Sequence, residues 1–137
     1  METRGLFHMI RVLHLLVNRT TKEARQMPPT ETQLTAEALD HRLEERFRTL
    51  AVEWKAGRGH SSSISKMCTH PAYQQIVGMG EKAIPLILRE LEQAPDHWFW
   101  ALKAITGVNP VPRDERADIK AMALHWLEWG REKGYRW

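Results

Sequence analysis

The sequence predicts an all-α protein: a compact helical domain with an amphipathic helix appended at its N-terminus. Three observations predict it. Apolar residues recur at three- and four-residue spacing in one segment after another, the period of a helix face. No segment alternates apolar and polar residues as a half-buried strand does. A length of 137 residues, 42% apolar and 27% charged, suits one domain. That composition excludes collagen-like, strongly disordered and disulfide-built chains.

The elements follow in order. In residues 5–17, Leu6, Ile10, Leu13 and Val17 hold helical spacing while His8, Arg11 and His14 mark the other face. Asn18 to Thr35 is polar and contains Met27-Pro28-Pro29-Thr30, which reads as a linker. Residues 1–34 are thus expected to be helix plus flexible linker, and residues 35–137 the helical domain. Thr35 is the expected N-cap of the first domain helix. Leu39, Leu43, Phe47, Leu50 and Trp54 form its apolar stripe, and Gly57 its left-handed C-cap. Gly57 to Ser63 is a loop, in which a serine is expected to cap a short helix around Ile64–Thr69. His70 and Pro71 then open a helix through Ile76. Glu81 to Glu92 is helical, with Ala83, Ile84, Leu86, Ile87, Leu88 and Leu91 apolar and Pro85 near its start. Asp96 is the expected N-cap of a helix from His97 to Ile105 that Gly107 closes. Asp114 or Glu115 opens the last helix, with Ile119, Met122, Ala123, Trp126 and Leu127 inward. The aromatic tail Gly134-Tyr135-Arg136-Trp137 is expected to dock on the core.

Residues 80–107, GEKAIPLILRELEQAPDHWFWALKAITG, resemble a HEAT-like repeat hairpin. Gly80, Ala83, Ile84, Pro85 and Leu86 fall on that family's first-helix opening. Asp96 falls on its turn, and Ala101, Leu102 and Ile105 on its second helix. The resemblance implies two amphipathic helices that bury one face on their neighbours. Trp98-Phe99-Trp100 stands where the family usually has a Val-Arg pair, and no second copy of the pattern occurs, so other helices must complete the core. The wider run from His70 to Trp137 resembles small bacterial proteins of unassigned function. It implies no activity.

Charge and cysteine content narrow the function. Lys and Arg number 20 against 17 Asp and Glu, a balance of +3. All of that excess lies in residues 1–70, which hold 11 basic against 8 acidic residues; residues 71–137 hold 9 and 9. A single cysteine, Cys68, excludes an intramolecular disulfide and suits a reducing cytoplasm. No segment approaches the roughly 20 apolar residues of a membrane helix, and His8, Arg11 and His14 interrupt what would be a signal core. No metal or cofactor is expected: neither HExxH, CxxC nor a phosphate-loop pattern occurs. Cys68 and His70 sit two apart, a spacing that points away from a nucleophile and base, so a hydrolytic or metal-dependent enzyme centred on His60, Cys68 and His70 ranks last among the expectations.

Two surfaces remain as candidates. Three consecutive aromatic residues sweep about 200° around a helix, so Trp98, Phe99 and Trp100 cannot all face one core. Trp98, Trp100, Trp129 and Trp137 are the expected protein-partner residues, because exposed tryptophan dominates interface energetics. Arg42, Arg46, Arg58, His60 and Lys66 are the candidate nucleic-acid residues on a basic face and loop. The leading expectation is a non-enzymatic interaction module, a small cytoplasmic adaptor or accessory subunit that binds a protein partner or a second copy of itself. Nucleic-acid binding through residues 42–66 is the alternative.

Overall fold

The computed structural model describes residues 28–60 and 63–137. The amphipathic helix expected over residues 5–17, and most of the expected linker, lie outside them. Six α-helices and two 3-10 turns are described: α1 Glu31–Arg58, α2 Ile64–Cys68, α3 Pro71–Gly78, a turn Gly80–Ala83, α4 Ile84–Gln93, α5 Phe99–Thr106, a turn Arg113–Glu115 and α6 Ile119–Glu132. No strand occurs among the described residues, and the protein is all-α.

The chain divides into two units, the first ending at Leu39. Of the first unit, residues 28–39 are described, and they contain the start of α1. Thr30 Oγ1 accepts from Gln33 N at 3.3 Å, and Thr30 N donates to Gln33 Oε1 at 2.8 Å. This reciprocal pair is a capping box. Thr35, the expected cap, lies inside the helix and bonds back to Thr32 O at 2.8 Å. Thr30 succeeds where Thr35 does not because a glutamine stands three residues on. Leu39 was expected in the apolar stripe, yet it is 55% exposed.

The second unit, Asp40–Trp137, holds the core. On α1 the buried stripe is Phe47, Leu50, Ala51 and Trp54, with Leu43 packed at its edge. The helix ends at Gly59, whose φ is +54°, and not at Gly57. Gly57 has a different role: a Cβ there would collide with the ring of His70 at Nε2. That ring is held in place because His70 Nδ1 accepts from Ala72 N at 3.2 Å and caps α3, while Pro71 takes the first helical position. Ser63 caps α2. Both caps agree with the sequence.

Four aromatic rings form the centre. Trp54 lies 4.4 Å from Trp98 and 5.0 Å from Tyr73, centroid to centroid. Tyr73 stacks on Trp98 at 5.7 Å with 9° between planes, and Phe47 completes the group at 5.7 Å from Trp98. Such contacts add about 0.5–1.5 kcal/mol per pair beyond the area buried. The centre is also hydrogen-bonded. Trp54 Nε1 donates to Met67 O at 3.0 Å. Tyr73 Oη donates to His97 O and accepts from Ala101 N, both at 2.9 Å.

That last bond corrects the expected cap of α5. The helix begins at Phe99, with Trp98 at the N-cap position and no cap bond from its side chain. An open first turn leaves N–H groups without partners. The hydroxyl of Tyr73, reaching over from α3, satisfies one of them. Asp96 instead accepts from His97 N at 2.7 Å and pairs with Arg58. The expected start of α6 is corrected too. Asp114 and Glu115 lie in a 3-10 turn, and Asp118 caps the helix by accepting from Lys120 N and Ala121 N at 2.8 and 3.1 Å.

Helices α4 and α6 pack along each other, and α3 packs along α5. The α4–α6 approach is close at Gly130, where a Cβ would stand 2.6 Å from Leu88 Cδ1 and 3.1 Å from Trp137 Cζ3. The tail docks there: Tyr135 stacks on Trp129 at 5.6 Å, and Trp137 Nε1 donates to Glu92 Oε2 at 2.9 Å.

Candidate functional site: an apolar cleft with a cationic rim

The second unit contains a cleft of about 320 Å³. Helix α2 contributes Ile64 and Cys68; α5 contributes Phe99, Trp100 and Lys103. His97 lies at the turn before α5, and Asn109, Arg116 and Ala117 come from the connection between α5 and α6. The first turn of α6 contributes Ile119 and Met122. The size falls at the small end of natural ligand sites, which are mostly apolar with a few placed polar groups.

Helical geometry explains why Trp100 reaches this cleft. Two residues along a helix turn the side chain by about 200°, so Trp98, at the N-cap position, and Trp100, in the first turn, set off in different directions. Trp98 is fully buried in the aromatic centre and offers no surface to a partner, which corrects its expected role. Trp100 is 45% exposed and lines the cleft, its ring 6.2 Å from Tyr73. Ile64, which lines the cleft from α2, is also largely exposed.

The connection from Gly107 to Asp118 is held by local hydrogen bonds. Gly107, at φ +73°, ends α5 by donating to Lys103 O at 2.9 Å. Asn109 Oδ1 accepts from Val111 N at 3.2 Å, an Asx turn, and Val111 is buried. Arg116 Nε donates to Val111 O at 3.2 Å, which fixes that side chain against the loop. No acidic residue lines the cleft.

The other expected site residues fall elsewhere. Trp129 lies between Trp126, at 5.2 Å, and Tyr135, and Trp137 sits under the guanidinium of Arg131 at 5.5 Å. Both are occupied in holding the tail. In the basic set, Arg42 and Arg46 are exposed on α1, and His60 and Lys66 are exposed near its far end. Arg58 is not available to a phosphate. Its Nη1 and Nη2 donate to the two oxygens of Asp96 at 2.6 and 2.7 Å, and its guanidinium lies 4.4 Å over the Trp54 ring. Arg42 is about 24 Å from Arg58 along the helix axis. The five residues therefore do not converge.

Titration behaviour follows burial. Burial pushes the Cys68 thiol above its ordinary value, against a hydrogen bond with Tyr73 that lowers it. Burial also raises the Tyr73 phenol, and the neighbouring Cys68 adds to that. For Asp96, burial alone would raise the carboxyl. The hydrogen bonds from Arg58 and His97 N, with the Arg58 charge, outweigh it and hold Asp96 below the ordinary carboxylate value. A thiol shifted upward is a poor nucleophile at neutral pH. His70, its nearest histidine in sequence, spends its ring as a helix cap. No group of three His, Cys, Asp or Glu placed to hold a metal occurs among the described residues. No helix among them is long and apolar enough to cross a membrane.

Fold and site together define a small all-α domain that carries an apolar, cation-rimmed cleft. No protein-family model, curated protein or solved structure matches the chain.

Sequence reasoning had flagged Trp100 but missed its cleft partners. For Lys103 a signal existed. The positions three and four away on either side are Phe99, Trp100, Thr106 and Gly107, so the lysine has no intrahelical acid to pair with. For Ile64, Asn109 and Met122, which meet only on folding, no local signal existed.

Proposed function

We propose that this chain is a non-enzymatic interaction module, a small adaptor or accessory subunit, whose cleft takes an apolar anchor side chain of a protein partner. The observation that carries the reading is Trp100, 45% exposed on the wall of an apolar cleft that an exposed Ile64 also lines. Tryptophan that a partner can bury in an apolar pocket is a common binding hot spot. The engaged His70 ring and the raised thiol of Cys68 support a non-enzymatic reading. The likeness of residues 80–107 to a HEAT-like hairpin belongs to the same proposal, as a helix pair with one face buried and one presented.

The test is affinity capture from the native host with wild-type protein and Trp100→Ala, before and after nuclease digestion. A protein retained by the wild type after digestion, and lost by Trp100→Ala, is the expected result. A captured species that nuclease releases overturns the reading in favour of nucleic acid.

A further inference from the structure

Cations that line an apolar cleft without a counter-charge say something about what completes it. Lys103 and Arg116 line the wall, and neither has an ion-pair partner among the described residues. Of the acids close in sequence to these walls, three are committed elsewhere, and Asp114 is exposed in the 3-10 turn with no ion pair to either cation. Asp96 holds Arg58 with both oxygens. Glu115 pairs with His125 at 2.8 Å. Asp118 caps α6. This is the half of the chain whose formal charges balance, so the cleft's positive character comes from which charged residues stand in its lining and not from an excess of base.

We infer that the partner segment recognised by this cleft is acidic, with an aromatic or large aliphatic anchor flanked by aspartate or glutamate. The inference rests on the cleft being a protein interface, and it names the chemistry of what binds there. The anchor lies against Trp100, Ile64 and Met122, where apolar area leaves water. A flanking carboxylate meets Arg116. That guanidinium is already fixed through Nε, and its two terminal nitrogens are left for a fork-shaped carboxylate contact. A side chain fixed before binding loses less entropy when it binds. Lys103 is the second, looser cation. A single strand of nucleic acid would instead need a basic groove that tracks several phosphates beside its stacking platform, and two cations do not make one.

The experiment selects random linear peptides displayed on phage against the full chain, against Trp100→Ala, and against a Lys103→Glu/Arg116→Glu double variant. The two cations are exposed, so thermal melting is expected to show the double variant still folded, with only the small loss that follows from removing the Arg116 bond to Val111 O. Wild-type protein is expected to enrich an aromatic residue or leucine next to acidic residues, and Trp100→Ala to enrich neither. The double variant is expected to reverse the flanking preference toward lysine and arginine. For one selected peptide, each charge reversal is expected to weaken binding roughly tenfold, since attraction becomes repulsion at a partly exposed site. Added salt is expected to weaken binding to the wild type. Peptides that enrich on the wild type without an acidic bias, and bind the double variant equally, overturn this inference but leave the interface standing. Failure to enrich anything beyond Trp100→Ala overturns the interface itself. Displacement of the selected peptides by an oligodeoxythymidine reassigns the cleft to nucleic acid and overturns both.

Discussion

Asp96→Asn is expected to destabilise the domain, with a pH dependence that identifies the cause. In the native protein the carboxylate accepts two charge-assisted bonds from Arg58, at 2.6 and 2.7 Å. The side chains are 20% and 17% exposed, and the guanidinium is stacked on Trp54. Asparagine keeps the size and can still accept from His97 N, so the substitution removes charge and one acceptor while leaving the turn intact. A charged hydrogen bond contributes about 1.5–3 kcal/mol, and stranding a fully buried ion costs about 3–5 kcal/mol. The guanidinium retains some water and keeps its ring contact, so a loss of roughly 2 kcal/mol is expected, toward the lower end of these ranges.

The sign with pH follows from the depressed carboxyl. Unfolded, Asp96 titrates near about 3.9; folded, it titrates lower. The pair's contribution is therefore fully present above the unfolded value and is lost as pH falls through the folded one. Urea unfolding at neutral pH is expected to show the full difference between wild type and Asp96→Asn, and the difference is expected to shrink as acid takes the pH below the unfolded value and through the folded one. A difference under about 0.5 kcal/mol at neutral pH, the range of an ordinary surface change, refutes the argument that this pair is a core contact. So does a difference that does not shrink in acid.

Other substitutions probe the same core and site. Tyr73→Phe leaves Ala101 N and His97 O without their partner and is expected to cost about 2 kcal/mol in denaturant unfolding. Gly57→Ala should gain helix propensity, yet it is expected to lower the melting temperature because the new methyl displaces the His70 ring. In a His70→Ser background, which keeps a cap and removes the ring, the same change is expected to be neutral or stabilising. Gly130→Ala is expected to loosen the tail, read as increased cleavage after Arg131 or Lys133 by trypsin. Cys68 is expected to react with iodoacetamide far more slowly in the native protein than in urea, since burial disfavours its thiolate.

Helical period made the long elements legible. Leu43, Phe47, Leu50 and Trp54 on α1, and Ile84 to Leu91 on α4, bury the stripes their spacing predicts. Short-range chemistry was legible where donor and acceptor lie a few residues apart, as at Ser63, His70 and Gly107. It misled where a residue able to act locally had a stronger partner far along the chain. Asp96 is a good cap by composition, but Arg58, 38 positions away, offers it two charged bonds. Its place at the start of α5 went to a tyrosine hydroxyl from another helix. Gly57 has the composition of a helix end, but the structure uses its missing side chain to admit a ring.

The same competition explains the cleft. The angular spread of Trp98, Phe99 and Trp100 showed that one ring had to leave the core, yet period alone could not say which. That choice was made by Trp54, Tyr73 and Phe47, which converge on one side of α5 and take Trp98. Trp100, a half-turn further round, was then left at the surface. Part of the cleft's charge arises in the same way, because Asp96, Glu115 and Asp118 are drawn into Arg58, His125 and the α6 terminus, while Asp114 stays at the surface outside the lining. An apolar wall and two uncompensated cations are thus a by-product of how the core and caps are satisfied. Reversing Lys103 and Arg116 should therefore leave folding almost untouched while changing what binds, whereas altering Asp96 or Tyr73 should do the opposite.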